Sequence, residues 1–456
     1  MKRRSAIKTL GALSLLGTIP VALHANSTSH SNNKLSSIKT DILVVGGGTA
    51  GAIAALQAAR LGSKTVLIEN GSQLGGTTTT GGVCFPGLFH AWGKQVINGI
   101  GWELISETVE LNSSTLPNFS IPFGKRHPQH QILINPALYS LLTEEKCIKA
   151  GVEIRYYETP LSISRKANTW QVEIAGKGTH HIISAKQIID CTGNALITSM
   201  IGHKLLREDE TQPGSLIFEL DGFDISSLDR TLITNLFQSA INDGTLLSKD
   251  AYGGVMGLLT IKNGLATQHV MGADSTTSVL HTKANIEGRA SMLRILRFIR
   301  TLPGCENAYI KKMQPETAIR ETYRIDGLYK ITHEDYISGK IWYDSLSYSY
   351  YPIDLHVEEG VKPKHLQEGV VATIPLRSLI PKESNNLIVA GRCVCSDRLA
   401  NSALRVQASC MGMGQVAGAT AALACKQNTT PHKVPLEQIK STLNKHGAII
   451  PNKNFY

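Results

Sequence analysis

Residues 42–45 are an unbroken apolar run, and two strongly polar residues do not occur together again until the chain has passed a glycine-rich turn and a small-residue stretch at 49–60. An apolar run of that length, flanked by a turn, predicts a strand buried on both faces. The alanines that follow predict a helix with a thin packing face, closed by Gly62. Residues 64–68 form a second apolar strand that ends in Glu69, which completes a β-α-β unit. The rhythm continues with helices at 102–111 and 135–150, the latter begun by Asn135 and Pro136. A strand at 151–157 carries on into 159–161. Residues 170–174 and 180–184 alternate like a surface hairpin, with His180 and His181 expected to be exposed. Buried strands are expected at 187–191 and 386–390, and an Ala/Gly-rich helix at 411–424.

Between 205 and 383 this rhythm stops. Residues 215–220, 257–262 and 266–271 are strand-like. Residues 282–300 have a helical period, with Ile286, Met292, Ile295, Leu296 and Ile299 on the apolar side and Pro303 and Gly304 as the stop. The expected fold class is α/β: a Rossmann-like domain with a parallel sheet, built from 39–204 and 384–426 and interrupted by an inserted α+β substrate domain at 205–383. Residues 427–456 read as a polar tail with one short helix at 436–443.

The turn after the first strand sharpens this picture. Gly46, Gly48 and Gly51 have G-x-G-x-x-G spacing. The first suits a tight turn, the second lets backbone approach a pyrophosphate, and the third lets helix and strand pack closely. Thr49 and Ala50 then open the helix, whose free N–H groups and dipole favour phosphate. Glu69 lies near the offset at which a carboxylate reaches a ribose hydroxyl. A glycine-rich turn in an ordinary βαβ unit would leave Glu69 without a purpose. Gly75, Gly76 and Thr77 lie in LGGTTTTGG, a loop suited to a second phosphate and a flavin's sugar chain. Thr192 and Gly193, after the strand at 187–191, form a second turn able to bring backbone to the same ligand.

Composition changes little. The chain has 456 residues, 42% hydrophobic and 18% charged, which is ordinary for a globular protein of two or three units. Four of its ten net positive charges, Lys2, Arg3, Arg4 and Lys8, sit at the very start, and no basic run points to nucleic acid. The eight cysteines include no C-x-x-C, so no metal site is expected, and most fall in apolar, core-like segments. Residues 1–25 combine a basic start, a broken apolar run and Ala25. They read as an export signal with a twin-arginine-like Arg3-Arg4, followed by a Ser/Asn/Thr-rich linker at 26–38. The expected location is the periplasm or cell envelope, with no membrane span once the signal is removed.

The candidate chemistry lies in the middle of the chain. Arg320, Glu321 and Arg324 can pair with one another or bind an anionic or hydroxyl-rich ligand. Asp354 and His356 are two apart and share a face if extended, as an acid/base pair or a structural one. His90 is either substrate-facing or structural. Gly391 and Arg392 close the strand at 386–390, with Arg392 placed to reach cofactor phosphate or carbonyl groups. Arg405 precedes the Ala/Gly-rich helix that contains Gly414, and the N-terminal end of that helix would favour negative charge.

Several stretches together resemble a bacterial family of FAD-dependent oxidoreductases within the glutathione-reductase-like two-dinucleotide-fold superfamily. They are GGGTAG, LGGTTTTGG, IIDCTGNA, IRETYRIDG, YPIDLH, IPLRSLIPK and NLIVAGR through MGMGQVAG. Asn194 stands where an acid is common in this family, and Tyr323 where a second arginine is common. Thr78 and Val83 occupy the positions of the redox cysteines of the disulfide reductases, which excludes thiol–disulfide chemistry. The resemblance implies non-covalent FAD, clasped by the N-terminal segment and the C-terminal strand and helix, with backbone near Leu161 at the adenine. It implies redox chemistry and names no substrate; the expected small-molecule substrate is polar and organic, either an alcohol or sugar that is dehydrogenated or an activated alkene that is reduced. With no second G-x-G-x-x-G for a nicotinamide, electrons would pass to or from the substrate, a quinone or a separate carrier protein. His356, Arg324, Arg320 and His90 are the candidates for substrate and proton handling. The rival expectations are a flavin lyase or isomerase without net redox change, and a carbohydrate-associated accessory protein with structural FAD.

Overall fold

The computed structural model describes residues 35–121, 127–251, 254–260, 266–357, 360–361 and 363–452. The leader at 1–25 and residues 26–34 of the expected linker lie outside the described residues, while 36–38, expected as linker, already belong to the first strand. The folded body begins with strand β1 (Ser36–Val45), helix α1 (Thr49–Arg60) and strand β2 (Thr65–Glu69). β1 and β2 pair in parallel, with Val45 opposite Ile68. On the other side of β1 lies the Thr179–Asp190 strand, also parallel, with Val45 opposite Asp190. Glu153–Tyr156 extends the sheet beyond β2, and Leu387–Val389 pairs with the far half of Thr179–Asp190. The C-terminal ends of three of these strands therefore meet at one edge. Each is followed by a turn containing glycine: Gly46, Thr192-Gly193 and Gly391. Ligands of open parallel sheets bind at such an edge.

The hairpin strand read at 180–184 and the buried strand read at 187–191 are one continuous strand. No glycine or proline breaks the chain between them. The first half alternates in burial and joins the antiparallel meander with Thr159–Lys166 and Thr169–Gly176. The second half is buried on both faces within the parallel sheet. The same alternation corrects one expectation. His180 is exposed, but His181 points inward and is only 3% exposed, with its Nε2 3.5 Å from Glu158 Oε2.

α1 packs directly on the Gln407–Lys426 helix. A Cβ at Gly414 would lie 2.3 Å from the Ala50 carbonyl oxygen, and one at Gly418 would lie 2.3 Å from that of Ala54. Small residues on both helices thus let two distant segments of chain lie backbone to backbone. The Leu436–Lys445 helix closes this core through the fully buried Ile439 and Leu443, so the region read as a polar tail is partly structural.

Residues in the middle of the chain form an antiparallel sheet in the order Ala266–Val270, Gly214–Asp221, Tyr309–Met313. The Ser278–Ile299 helix lies against it. Their shared core contains Leu216, Phe218, Met292, Ile295 and Ile299. Two expectations fail here. The run at 257–262 is not a strand: Val255–Thr260 is a helix, and 261–262 lie outside the described residues. A short apolar run without alternation does not distinguish the two periods. Ile286 is 58% exposed, because the buried face of the long helix runs through Ala284, Gly288, Ser291, Met292 and Ile295 instead. Among the described residues, no helix is long and apolar enough to cross a membrane.

Candidate functional site

A cavity of about 740 Å³ runs along the edge where the three strand ends meet and continues under the middle segment. At one end the β1–α1 turn shapes it. Gly46 has φ +95°, and a Cβ there would lie 2.7 Å from the Cys191 carbonyl oxygen. A Cβ at Gly51 would lie 1.8 Å from the Gly46 carbonyl oxygen, so these two glycines are demanded by the protein itself. Gly48 differs, since a Cβ there would meet nothing nearer than Gly76 Cα at 4.0 Å. Gly48 also caps α1 without a side-chain acceptor, so no side chain covers the N-terminus of the helix. A spare glycine and an uncapped helix N-terminus at a cavity wall fit a pyrophosphate.

Glu69 closes the same end. Its Oε2 accepts the Gly47 N–H at 2.7 Å and its Oε1 accepts the Gly71 N–H at 2.6 Å. Burial nevertheless raises its pKa above the ordinary carboxylate value, against the pull of those two bonds. The oxygens keep lone pairs for a ribose hydroxyl. The 75–79 loop is fastened to its neighbours. Gly75 N–H donates to Gly47 O at 2.9 Å, and Thr78 Oγ1 sits 3.1 Å from Thr49 Oγ1. Thr78 also donates to Gln407 Oε1 at 2.7 Å, while Gln407 Nε2 donates to Val83 O at 2.7 Å. Gln407 thereby ties the start of the C-terminal helix to both N-terminal loops.

Of the residues expected to hold a cofactor, Gly46, Gly48, Thr49, Ala50 and Glu69 line the cavity, as do Gly76 and Thr77. Thr192, Gly193, Gly391, Arg392 and Arg405 line it from the other strand ends. Gly51, Gly75 and Gly414 stand behind the wall, where they permit close packing or a tight loop. Leu161 points elsewhere and is 52% exposed; Thr159 and Pro160, just before it, form the wall. Arg392 is engaged within the protein: it donates to Gly193 O, Asn194 Oδ1 and Ile319 O.

Another part of the lining is polar. Asp354 and His356 lie side by side as expected, with His356 Nε2 3.1 Å from Asp354 Oδ2. Arg320 donates to the Pro213 carbonyl and lies 3.2 Å from His269 Nε2. Arg405 donates to the Asp354 carbonyl at 3.2 Å and to Gln212 Oε1 at 3.3 Å, while its buried Nε has no partner. Tyr351 OH accepts from Gln131 Nε2 at 2.9 Å on the same wall. Burial tends to raise the Asp354 pKa, but the His356 contact and the two arginines outweigh it and hold the carboxyl at about 2. Burial, helped by the same arginines, lowers His356 to about 4.

Two of the candidates for chemistry lie elsewhere. Arg324 is buried outside the cavity lining, bonded to both carboxylate oxygens of Glu208 and to the Ser396 carbonyl. Glu321 does not pair with its arginine neighbours in sequence; it accepts from Gln212 and Arg398. His90 stacks on Phe119 at 3.7 Å between centroids and meets Trp102 edge-on, which is a packing role. Sequence reasoning missed Gln212, His269 and Gln407. The signal for His269 was present: along a strand expected from the sequence, Thr267 and His269 alternate with the buried Ala266, Gln268 and Val270, and Thr267 on that face lines the cavity.

The chain is similar to several known proteins. A family described as FAD dependent oxidoreductase matches residues 41–443. Thiamine thiazole synthase of Methanococcus vannielii is 29% identical over 174 residues, which cover 37% of this chain and 61% of that protein. The chain therefore spans about three fifths of the length of that curated relative. Among solved structures, a geranylgeranyl bacteriochlorophyll reductase-like protein from Thermoplasma acidophilum is 13% identical, with 90% of this chain and 83% of that one covered and a TM-score of 0.43. An anhydrotetracycline hydroxylase from Streptomyces rimosus is 14% identical, with 43% of this chain and 41% of that one covered and a TM-score of 0.29. Matched along nearly all of its folded length, the chain belongs to the FAD dependent oxidoreductase family and is an FAD-dependent enzyme.

Proposed function

We propose that the enzyme transfers a hydride between a small polar organic substrate and N5 of the flavin, with the substrate held under the middle segment. The observation that carries this reading is the polar part of the lining. Arg320, Arg405, Asp354 and His356 gather there, on the wall of the same cavity that carries the phosphate and ribose features. Bound FAD supplies a two-electron acceptor or donor, and the protein supplies binding, orientation and proton handling. Gly46 and Gly48, the α1 N-terminus and Glu69 would hold the pyrophosphate and ribose. Arg405 and the start of the Gln407–Lys426 helix would face the ring system. Arg320 and Arg405 would orient an oxygen-bearing substrate, and His356, held by Asp354, would move its proton. The segment 205–383 would act as the cap that keeps water out, with 39–204 and 384–426 forming the cofactor domain.

On this reading the substrate is an alcohol, a sugar or an activated alkene, and the second electron partner is a quinone or a carrier protein. The basic, apolar and small-residue order of residues 1–25 supports export to the periplasm or cell envelope. The test is anaerobic mixing of the yellow holoprotein with alcohols, sugars, hydroxy acids and, after chemical reduction, enoates. Loss of the flavin absorbance with one class, or its return with an enoate, supports the reading. A flavin that no compound reduces or reoxidises points to a non-redox enzyme or a structural cofactor.

A further inference from the structure

Arg405 is a cation that the protein compensates only in part. Arg324 donates to Glu208 at 2.7 Å, Arg377 to Asp344 at 3.0 Å and Arg398 to Glu321 at 3.2 Å, so each of these is paired with a carboxylate. Arg405 Nη2 is 3.7 Å from Asp354 Oδ2, and that oxygen already faces His356 Nε2 at 3.1 Å. The acceptors within reach of Nη2 are neutral: the Asp354 carbonyl at 3.2 Å and Gln212 Oε1 at 3.3 Å. Nε is buried without a partner, and no described residue accepts from Nη1. A guanidinium carries five N–H groups and only donates. Two of the five go to the protein, which leaves three without an acceptor among the described residues. Only 13% of the side chain is exposed, and Nη1 is the nitrogen still open to the cavity that Arg405 lines.

The side chain is held in this pose from both ends. Its backbone joins the Arg398–Leu404 helix to the Gln407–Lys426 helix: the Arg405 N–H donates to Asn401 O at 2.9 Å, and its carbonyl accepts from Cys410 Sγ at 3.3 Å. Gln212 fixes the guanidinium. It is fully buried, its Nε2 donates to Glu321 Oε2 at 2.9 Å, and its backbone N–H donates to Glu321 Oε1 at 2.6 Å. An ionised carboxylate only accepts, so the amide cannot turn over. Its oxygen must face Arg405 Nη2 and the His356 N–H, which is 3.0 Å away. Arg320, from another segment, brings a second guanidinium to the same part of the lining.

We propose that Arg405 determines the substrate class: its open Nη1 takes a carboxylate, so the molecule oxidised or reduced is an organic acid, either a hydroxy acid with its oxo acid or an enoate. This rests on the proposed function and narrows it, setting aside neutral alcohols and sugars. A carboxylate supplies the acceptors that Nη1 lacks, through charge-assisted bonds roughly twice as strong as neutral ones. Asp354 approaches Arg405 most closely at Nη2, so the substrate anion and the Asp354 carboxylate meet different nitrogens of one guanidinium. A phosphoryl group would bring a second negative charge beside Asp354, which favours the singly charged acid. Gln212 is the positioning residue that keeps Nη1 turned to the cavity.

The test is calorimetric titration of the oxidised, FAD-loaded protein with pyruvate, with its neutral isostere pyruvamide and with inorganic phosphate. Pyruvate is expected to bind at least about tenfold more tightly than pyruvamide. Arg405→Met should abolish that preference while the chain keeps its FAD with unchanged affinity. Arg405→Lys, which keeps the charge and loses the planar fork, should retain part of it. Gln212→Leu frees the guanidinium without removing its charge and should weaken pyruvate at least about threefold. No binding of pyruvate up to about 50 mM overturns the proposal, as does equal affinity for pyruvamide. An unchanged preference in Arg405→Met overturns it too. Release of FAD by both Arg405 variants would assign the arginine to the cofactor, and tighter binding of phosphate than of pyruvate would assign it to a phosphoryl group; either contradicts the proposal. The two readings fail separately. A flavin bleached by neutral alcohols in a protein that ignores pyruvate removes only the acid, whereas pyruvate bound beside a flavin that no compound reduces or reoxidises removes the redox reading.

Discussion

The guanidinium of Arg392 donates to Asn194 Oδ1 at 2.9 Å, joining a C-terminal strand end to the turn that follows the central strand. The same group donates to Gly193 O and to Ile319 O, so three segments far apart in sequence meet on one side chain at the cavity wall. The amide oxygen of Asn194 supplies the acceptor. Burial without a carboxylate partner lowers the Arg392 pKa below its ordinary value.

Arg392→Met should therefore act on assembly. It leaves buried carbonyls without donors, each costing roughly 1–3 kcal/mol. The expected result is a loss of about 2–4 kcal/mol in urea unfolding, together with early release of FAD. Asn194→Ala should cost about 1 kcal/mol, since the other two bonds remain.

Gly48→Ala and Gly51→Ala separate ligand from fold. The Gly51 substitution drives a methyl into the Gly46 carbonyl and should destabilise the apoprotein by roughly 3 kcal/mol. The Gly48 substitution meets open space in the protein alone. It should leave apoprotein unfolding unchanged and weaken FAD binding at least about tenfold, or about 1.4 kcal/mol. Thermal unfolding of the apoprotein and FAD titration read the two effects independently.

The parts of this molecule that were legible in the sequence are the local ones. The glycine turn, α1, β2 and the capping of the Pro136–Lys149 helix by Asn135 depend on neighbours a few positions apart, and Asn135 Oδ1 does accept from Ala137 and Leu138 N–H. The pairing of Asp354 with His356 follows from period-two spacing. What remained hidden depends on long-range contacts. His269 reaches His356 across 87 positions, and Gln407 reaches Val83 across 324. Arg324 resembles Arg320 in sequence, yet the irregular backbone between them sends it to Glu208 instead of the cavity. His90 was ambiguous because only the fold brings Phe119 against its ring.

The two arginines should therefore behave differently. Arg320→Met is expected to weaken substrate binding and raise KM at least about tenfold, with FAD retained. Arg324→Met should leave KM and FAD affinity near wild type and lower stability instead, because it strands the Ser396 carbonyl and Glu208. Steady-state kinetics alongside denaturant unfolding distinguishes them.

Acid should destabilise the fold through its buried histidines. Burial holds His90 at about 4 against an ordinary value of 6.5. The unfolded chain thus binds a proton that the folded chain refuses between those values. The stability contribution is full above pH 6.5 and is lost as the pH falls toward about 4. His90→Phe keeps the stack on Phe119 and removes the titration. Its urea midpoint should fall less steeply than that of the wild type across this window, and an unchanged slope would show that His90 titrates normally.

The central claim is that one FAD lies in the cavity between Glu69 and the polar part of the lining, gripped by both the β1–α1 turn and the C-terminal strand and helix. Equilibrium titration of FAD onto the deflavinated chain tests it most directly. The predicted result is one FAD per chain, with affinity lost in Gly48→Ala at one grip and in Arg392→Met at the other. A purified chain that carries no flavin and takes up none on reconstitution would contradict the account.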